Sequence, residues 1–226
     1  MGKISKKILF VSAHPDDETL GCGGTIHKHK ACSDSIFWLI ITNVDTDHGW
    51  KKEVVQKRQK EILKIANAYG FEKIYKLDYP TAYLDTIPIG ELIKSISLVI
   101  NDVKPEVVYI PNRMDVHTDH LITYTAMMSC VKNFRTPSIK RFLTYETLSE
   151  TEFAPSLTEY AFLPNVFNDI TVYYKDKIKA MKIYKSEVME QHLPRSLGAI
   201  EALGRLRGSR IGVKYAEAFR LLNEII

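Results

Sequence analysis

Two short stretches of the sequence concentrate side chains that can bind a metal ion and move protons. The first is AHPDDE, residues 13–18, which contains His14, Asp16 and Asp17. The second is DVHTDH, residues 115–120, which adds two histidines and two aspartates. Imidazole and carboxylate together form the ligand set of catalytic zinc sites, where three protein ligands leave one position for water. Zinc lowers the pKa of that water to about 7, and a spare carboxylate and imidazole can then accept and donate protons.

Each stretch also has an ordinary structural explanation when it is taken alone. Consecutive acidic residues after a strand are typical of a solvated turn or of a helix N-terminus, where the macrodipole favours negative charge. A single His-x-x-His pair is a weak signal, because many histidines lie in the core or on the surface without a ligand. The metal-site hypothesis therefore depends on whether the fold brings the two stretches together.

Apolar runs and apolar stripes along the chain predict strands that alternate with helices. Such alternation favours an α/β fold with an open, mostly parallel β-sheet flanked by helices and joined by right-handed crossovers. The predicted strands are Ile8–Val11, Ile36–Thr42, Lys73–Leu77, residues 104–110 and Lys140–Tyr145, and the predicted helices are Thr19–Lys30, Lys51–Tyr69, residues 88–103 and His120–Lys132.

The last third of the sequence is less regular. Residues 162–174 favour a strand or a loop, Lys175–Val188 favours a helix, and Tyr215–Asn223 favours a terminal helix. No repeat, low-complexity segment or linker divides the chain, and a length of 226 residues is within the usual size of one domain. We therefore expect a single domain over residues 1–226.

The two reactive stretches follow the first and the fourth predicted strands. In an open parallel sheet, ligands bind beyond the carboxyl ends of the strands. His14–Glu18 and Asn112–His120 therefore have the right positions to meet on one rim of the sheet. This joint placement favours a metal site much more strongly than either stretch does alone.

The two motifs, in this order, resemble the PIG-L/LmbE-like family of zinc-dependent de-N-acetylases, and most closely its bacterial GlcNAc-type branch. Members of that family remove acetyl groups from N-acetylglucosaminyl compounds and related amides on a Rossmann-like sheet. The resemblance extends over nearly the whole chain. The further similar segments are ITN (41–43), Arg58–Glu61, Leu77–Asp85, Phe162–Thr171, His192–Ser196, Arg207 with Gly208, and Tyr215–Arg220.

The resemblance implies which residues bind the metal. His14, Asp17 and His120 would be the ligands, and Asp115 or Asp119 would orient a histidine from behind, as metal-binding histidines normally require. The implied cofactor is Zn²⁺, although this ligand set also accepts Fe²⁺ or Co²⁺.

The resemblance also implies the catalytic groups. Asp16 would be the general base on the metal-activated water, and His117 would act as a general acid or stabilise the tetrahedral intermediate. The implied reaction removes the acetyl group from the N-acetyl amide of an amino sugar, such as a GlcNAc derivative, a sugar nucleotide or a glycan precursor. Two alternatives stay open: an amidase that acts on a non-sugar acylated amine, and a non-catalytic sugar-binding module.

Three arginines in the similar segments are candidates for substrate binding, together with Asp85. A guanidinium group suits phosphate or carboxylate through paired hydrogen bonds. Arg195 and Arg207 have Pro or Gly as neighbours, which favours loops and substrate contact. For Arg58, an ion pair with Glu61 on the same helix is an equally good explanation.

The loop after the second strand departs from the glycine and glutamate turn of many relatives. Here it reads NVDTDHGW, so Asp45, Asp47 and His48 could shape the pocket differently, and their roles stay open. For His48 we expect a solvated loop position, because most loop histidines are solvated.

Bulk properties narrow the class of protein further. A formal net charge of +4 with nearly balanced acids and bases does not favour nucleic-acid binding. Three cysteines argue against a disulfide framework and favour a reducing, cytoplasmic location. No apolar run approaches the roughly 20 residues of a membrane helix. We therefore expect a small-molecule partner, an N-acetylated sugar, with no nucleic acid and no membrane span; a homo-oligomer is a further expectation taken from the relatives.

Overall fold

The computed structural model describes residues 5–226. Within that range a sheet of seven strands is flanked by six helices, which confirms the predicted α/β fold with an open, mostly parallel sheet. The strands are β1 (Lys7–Ser12), β2 (Ser35–Asn43), β3 (Lys73–Pro80), β4 (Val107–Pro111), β5 (Arg141–Tyr145), β6 (Val166–Asp169) and β7 (Ala216–Glu224). The helices are α1 (Asp17–Ala31), α2 (Lys52–Tyr69), α3 (Ile89–Val103), α4 (Thr118–Cys130), α5 (Tyr174–Met181) and α6 (Leu197–Ser209).

The strand order of the sheet is β3-β2-β1-β4-β5-β7-β6. Strands β1 to β5 are parallel, and β1 pairs with β2 on one side and with β4 on the other. The chain therefore moves outward from β1 in one direction and returns to begin β4 on the opposite side. Such a reversal leaves a crevice beyond the carboxyl ends of the two strands. The loops that follow β1 and β4 carry AHPDDE and DVHTDH.

The core lies on both faces of the sheet, which explains why the central strands read as continuous apolar runs. Successive residues of β1 point to opposite faces: Ile8 and Phe10 pack towards α1, α2, α5 and α6, and Leu9 and Val11 pack towards α3 and α4. All four side chains are fully buried. The carboxyl end of β1 is thus fixed from both sides at the point where AHPDDE begins.

The helices have ordinary lengths and recognisable ends. Helix α2 stops at Gly70, as the sequence predicted, and this residue adopts the left-handed conformation with φ 69° that glycine accepts without strain. None of the helices among residues 5–226 combines the length and the apolar character that a membrane crossing needs.

Two predictions for the last third of the chain were wrong. The predicted helix at Tyr215–Asn223 is strand β7, which lies antiparallel between β5 and β6. Its residues are mostly good helix formers, but hydrogen bonding to strands on both sides overrides that weak preference. The predicted helix Lys175–Val188 is only α5 and ends at Met181. The residues after Met181 form turns, and these turns bring Glu187 to the site described below.

Helix α1 packs unusually closely on β5. A Cβ atom at Gly21 would overlap the ring of Tyr145, whose Cγ lies 2.7 Å from the Cβ position. Tyr145 is fully buried, and its hydroxyl donates to the carbonyl of Val11 at 2.8 Å. The ring therefore cannot move away without a loss of stability. Gly21 therefore sets the distance between the sheet and the helix that begins at Asp17.

The substitution Gly21→Ala is expected to lower the free energy of unfolding by about 1–3 kcal/mol, because the new methyl group overpacks a rigid site. The control is Gly90→Ala in α3, where no atom lies within 4 Å of the Cβ position. That variant should be neutral or gain up to about 1 kcal/mol from helix propensity. Urea denaturation of both proteins measures the difference, and equal stability would show that the close contact is unimportant.

Candidate metal centre and the pocket around it

The two reactive loops meet, and they place three possible metal ligands together. His14 lies in the turn that joins β1 to α1, Asp17 is the first residue of α1, and His120 lies in the first turn of α4. One ligand atom from each of the three lies within 4.8 Å of the other two. The backbone N–H of His14 donates to Oδ2 of Asp17 at 2.8 Å, which closes the turn and fixes both residues.

The ring of His120 is the strongest sign that this group fits a cation. Its Nδ1–H donates to Oδ2 of Asp115 at 2.8 Å, so the neutral ring has a lone pair on Nε2. That Nε2 is buried, has no hydrogen-bond partner, and lies 3.3 Å from Oδ1 of Asp17. Two buried electron-rich atoms at this separation repel each other unless a positive charge lies with them. The donor set is that of a zinc-type ion, so the residues fit a metal.

The electrostatics of the three residues favour a positive charge beside Asp17, which either a proton on His120 or a metal ion supplies. Burial alone disfavours charge on His120, but the carboxylates of Asp17 and Asp115 raise its pKa well above the usual value. Burial likewise opposes charge on Asp17, but His120 and His14 hold its pKa below the usual range. The site thus keeps an ionised aspartate and attracts positive charge next to it.

Each histidine is oriented by a carboxylate of its own. His120 is held by Asp115, which also accepts from Asn112 Nδ2 at 3.0 Å and from Thr151 at 2.7 Å. Nε2–H of His14 donates to Oδ2 of Asp119 at 3.0 Å, which leaves Nδ1 on the side of Asp17, 3.8 Å from its Oδ2.

Asp119 is itself anchored to the backbone. It accepts from the N–H groups of Ala82 at 2.7 Å and of Leu84 at 3.3 Å. Burial opposes ionisation, but His14 and these backbone donors lower the pKa of Asp119. The sequence prediction left open whether Asp115 or Asp119 orients a histidine, and in the structure each contacts a different one.

Asp16 lies beside the three residues without joining them. Its backbone has φ 130°, a strained region for a residue with a side chain, and strain of this kind persists only where the surroundings fix it. Glu18 stabilises this backbone conformation, because its Oε2 accepts a hydrogen bond from the N–H of Asp16 at 3.1 Å. Glu18 is fully buried and also accepts from Thr19 at 2.7 Å and from Tyr184 at 2.9 Å. Burial raises the pKa of Glu18 to about 7.

The carboxylate of Asp16 is free to act as a base. Its Oδ2 is buried without a hydrogen-bond partner, and the nearest cation is Nη1 of Arg195 at 3.8 Å. Burial and the negative charges of Asp17 and Glu187 raise the pKa of Asp16 well above its usual value, and Arg58 and Arg195 oppose this shift. A buried carboxylate with a raised pKa has the affinity for protons that a general base needs.

His117 occupies the N-cap of α4, where its Nδ1 accepts the N–H of Asp119 at 3.2 Å. The proton of the neutral ring therefore lies on Nε2. Burial and the nearby rings of His14 and His120 lower the pKa of His117 to about 4, so it is neutral at pH 7. The ring packs against His14 with 4.3 Å between centroids. His117 is thus a neutral N–H donor beside the metal group, which consists of His14, Asp17 and His120.

These residues open into a cavity of about 350 Å³. Arg58 and Arg195, both predicted as substrate contacts, lie on its wall. Arg58 donates to the carbonyl of Pro15 at 2.7 Å and forms an ion pair with Glu187, and Arg195 lies 3.4 Å from the same carboxylate. Arg58 is therefore both a wall residue and part of an ion pair, whose main partner is Glu187 rather than Glu61.

Other predicted substrate contacts lie elsewhere. Arg207 forms two hydrogen bonds to Glu146, at 2.7 and 2.6 Å, and does not line this cavity. Asp85 is exposed in the short 3₁₀ turn Leu84–Thr86 and is not on the cavity wall. His48 is bound to Asp45 at 2.8 Å in an exposed turn, in line with the expected loop position. The positions of Arg207 and Asp85 give no support to their predicted roles.

Sequence reasoning also missed residues on the cavity wall. They include Trp50, Val54, Glu150 and Glu187. One signal was present: Val54 and Arg58 are four residues apart in α2, which places them on one side of the helix, and Trp50 precedes the helix by two residues. Glu150 and Glu187 lie in irregular segments, where no periodicity points to them.

Asp115→Asn is expected to weaken metal binding by about 10–100-fold, because the amide holds the ring of His120 less firmly and makes Nε2 a poorer ligand. Competition with a chromogenic chelator measures the dissociation constant. The control is Asp176→Asn, which removes an exposed carboxylate of α5 that pairs with Lys179. Unchanged metal affinity in Asp115→Asn would contradict the assignment of His120 as a ligand.

The chain is similar to known proteins in both sequence and fold. The family model PIG-L, described as GlcNAc-PI de-N-acetylase, matches residues 9–131, more than half of the chain. The diacetylchitobiose deacetylase of Thermococcus kodakarensis is 26% identical over 224 residues, which cover 96% of this chain and 83% of that protein.

Two solved structures show how widely the fold is used. The N,N'-diacetylchitobiose deacetylase of Pyrococcus horikoshii, complexed with an inhibitor, superposes with a TM-score of 0.76 at 24% identity and covers 97% of this chain and 84% of its own. The 4-carboxy-2-hydroxymuconate hydratase GalB of Pseudomonas putida superposes with a TM-score of 0.73 at 19% identity and covers 98% of both chains. At these identities the likeness concerns the fold alone, and GalB shows that the fold does not fix the reaction.

Proposed function

Because the chain belongs to the PIG-L family, we propose that it removes the acetyl group from the N-acetyl amide of an amino-sugar substrate of the GlcNAc type. Enzymes of this family are metal-dependent deacetylases, and this chain is a hydrolase of that kind. One observation carries the proposal for this chain: His14 and Asp17, two members of the group that fits a metal ion, line the same cavity as Asp16, whose Oδ2 is buried without a hydrogen-bond partner.

The metal proposed here is zinc, held by His14, Asp17 and His120. Nitrogen and carboxylate oxygen are ligands that zinc prefers, and three protein ligands leave room for substrate or water. When bound, the ion would supply Lewis acidity that polarises the amide carbonyl and lowers the pKa of a water molecule. Asp115 and Asp119 keep the two imidazole rings turned towards the ion.

The oxygen of the attacking water bonds to the carbonyl carbon, and Asp16 takes a proton from that water. The raised pKa of Asp16 suits this step, and the nearby cation of Arg195 opposes part of that rise. Asp16 then returns the proton to the amide nitrogen, the C–N bond breaks, and acetate and the free amine leave. A general base of this kind contributes about 10²–10⁴-fold to the rate.

His117 stabilises the negative charge that develops on the carbonyl oxygen. Because its Nδ1 accepts a backbone N–H, the proton on Nε2 is available as a fixed donor. The pKa of about 4 makes the ring a neutral donor at pH 7 rather than an acid that gives up its proton. Of the two roles predicted for His117, its geometry supports stabilisation of the intermediate.

The polar wall of the cavity favours a neutral sugar over a phosphate. Arg58 and Arg195 share the carboxylate of Glu187, so little uncompensated positive charge remains there. Alternating guanidinium donors and carboxylate acceptors match the hydroxyl groups of a sugar ring. The Thermococcus relative, named for its action on diacetylchitobiose, supports an N-acetylglucosamine-derived substrate.

Asp16→Asn is expected to lower kcat by about 10²–10⁴-fold, because the amide cannot accept the proton of water. Asparagine tolerates the positive φ of this position better than most residues, so the turn should persist. Metal content, measured by elemental analysis, should match the wild type. Asp102→Asn, which changes an exposed carboxylate bound to Lys73, serves as the control. Normal turnover in Asp16→Asn would make the role of Asp16 wrong.

The direct test of the function is an acetate-release screen over N-acetylhexosamines, their phosphates and their nucleotide conjugates, with acylated amines as the non-sugar set. We expect release from a GlcNAc-type sugar, loss of release after chelation, and recovery with Zn²⁺. Release from acylated amines alone would favour the amidase alternative. Binding of acetylated sugars without any acetate at saturating zinc would favour the binding-module alternative.

A further inference from the structure

A stripe of three residues runs along the cavity wall from the metal group to solvent. Trp50, Val54 and Arg58 all line the cavity and are four residues apart. Arg58 bonds the carbonyl of Pro15, so its end of the stripe lies next to the reactive loop. Helix α2 begins at Lys52, so at 1.5 Å per helical residue its start lies about 9 Å from Arg58 along the axis, and Trp50 precedes that start by two residues. The stripe therefore begins at the reaction centre and ends beyond the reach of one sugar ring.

The outer part of this stripe is apolar and exposed. The relative exposure is 42% for Trp50 and 37% for Val54, whereas Arg58 at the inner end is half-buried and charge-paired. An exposed indole next to a polar recess offers a large, rigid apolar surface at small cost in side-chain entropy. The cavity thus changes from polar at the reaction centre to aromatic at its mouth.

The turn that presents Trp50 is tied down by its own hydrogen bonds. The N–H of Trp50 donates to the carbonyl of Asp45 at 3.2 Å, and the N–H of His48 donates to Oδ1 of Asp45 at 2.9 Å. Gly49 takes φ 86°, which only glycine adopts readily, and the ring of His48 packs on Tyr83 with 4.8 Å between centroids. Asp45 and His48, whose roles the sequence left open, therefore shape the turn before Trp50.

We propose that Trp50 is a specificity-determining residue that stacks against a second pyranose ring, joined to the acetamido sugar that is hydrolysed. This inference rests on the proposed function and names the substrate class: N-acetylated disaccharides or longer glycosides in preference to free monosaccharides. The apolar C–H face of a pyranose fits the face of an indole, and the hydroxyl edge of the acetamido ring meets Arg58 and Glu187 at the inner wall.

The kinetic test compares acetate release from N-acetylglucosamine and from N,N'-diacetylchitobiose. In the wild type, kcat/KM should be higher for the disaccharide. In Trp50→Ala the ratio of the two kcat/KM values should fall about tenfold, through KM of the disaccharide, because stacking at this distance acts equally on ground state and transition state. Trp50→Phe should keep most of the ratio. Phe134→Ala, which removes an aromatic side chain that is 80% exposed and outside the cavity, should leave it unchanged.

A binding measurement gives an independent readout. The chain has two tryptophans, and the other one, Trp38, is fully buried and donates to Ser12. Exposed-indole fluorescence therefore reports on Trp50. Titration of metal-loaded Asp16→Asn protein with diacetylchitobiose should shift or quench this emission in a saturable way. The change should be absent when Trp50→Phe is added, and N-acetylglucosamine should produce a much smaller one.

The outcomes of these experiments test the role of Trp50 separately from the proposed deacetylase function. If the wild type releases no acetate from any sugar, the proposed function is wrong, and the fluorescence titration still decides whether Trp50 binds a ring. If acetate is released but Trp50→Ala leaves the disaccharide preference unchanged, or if saturating disaccharide leaves the emission unchanged, the role of Trp50 is wrong and the deacetylase function stands.

Discussion

The pairing of β1 with β4 is the constraint on which the site depends. These parallel strands are neighbours in the sheet but far apart in the sequence, and their crossovers leave in opposite directions. Their carboxyl ends consequently lie side by side, with a crevice beyond them. His14 and Asp17 follow one strand, and His120 follows the other. Because buried apolar residues fix both strands on two faces, the ligand atoms meet with little freedom to move apart.

A second consequence is a high density of buried acids, which proteins tolerate only when the charges are paired or hydrogen-bonded. Asp115 and Asp119 satisfy this condition with histidine rings and with further donors. Asp17 faces the rings of His14 and His120. A metal ion bound between them would neutralise the remaining negative charge of Asp17. Asp16 is the exception, since its Oδ2 has no hydrogen-bond partner. Among these four aspartates, the one with the unsatisfied oxygen is also the one proposed to accept a proton.

The sequence predicted the parallel strands β1 to β5 and the helices between them, because continuous apolar runs and regular helix periods are visible in short stretches of sequence. It also predicted the reactive loops, since each directly follows such a run. It failed at β7, where a segment of good helix formers is held as a strand by partners on both sides. Arg195 and Arg207 have similar local sequence contexts, yet one reaches the cavity and the other pairs with Glu146. That difference, like the position of Glu187, depends on tertiary packing that no local pattern contains.

The residues proposed to act on the amide and the residues proposed to select the substrate come from different kinds of structure. The metal group and Asp16 lie on strand ends and first helical turns, which the core holds rigidly. The walls come from α2 and from irregular segments, including the turn that carries Trp50 and the loop that carries Glu187. Loops can change without disturbing the sheet. One metal centre can therefore be combined with different walls, and this is why the proposal assigns the choice of substrate to the residues at the cavity mouth rather than to the shared motifs.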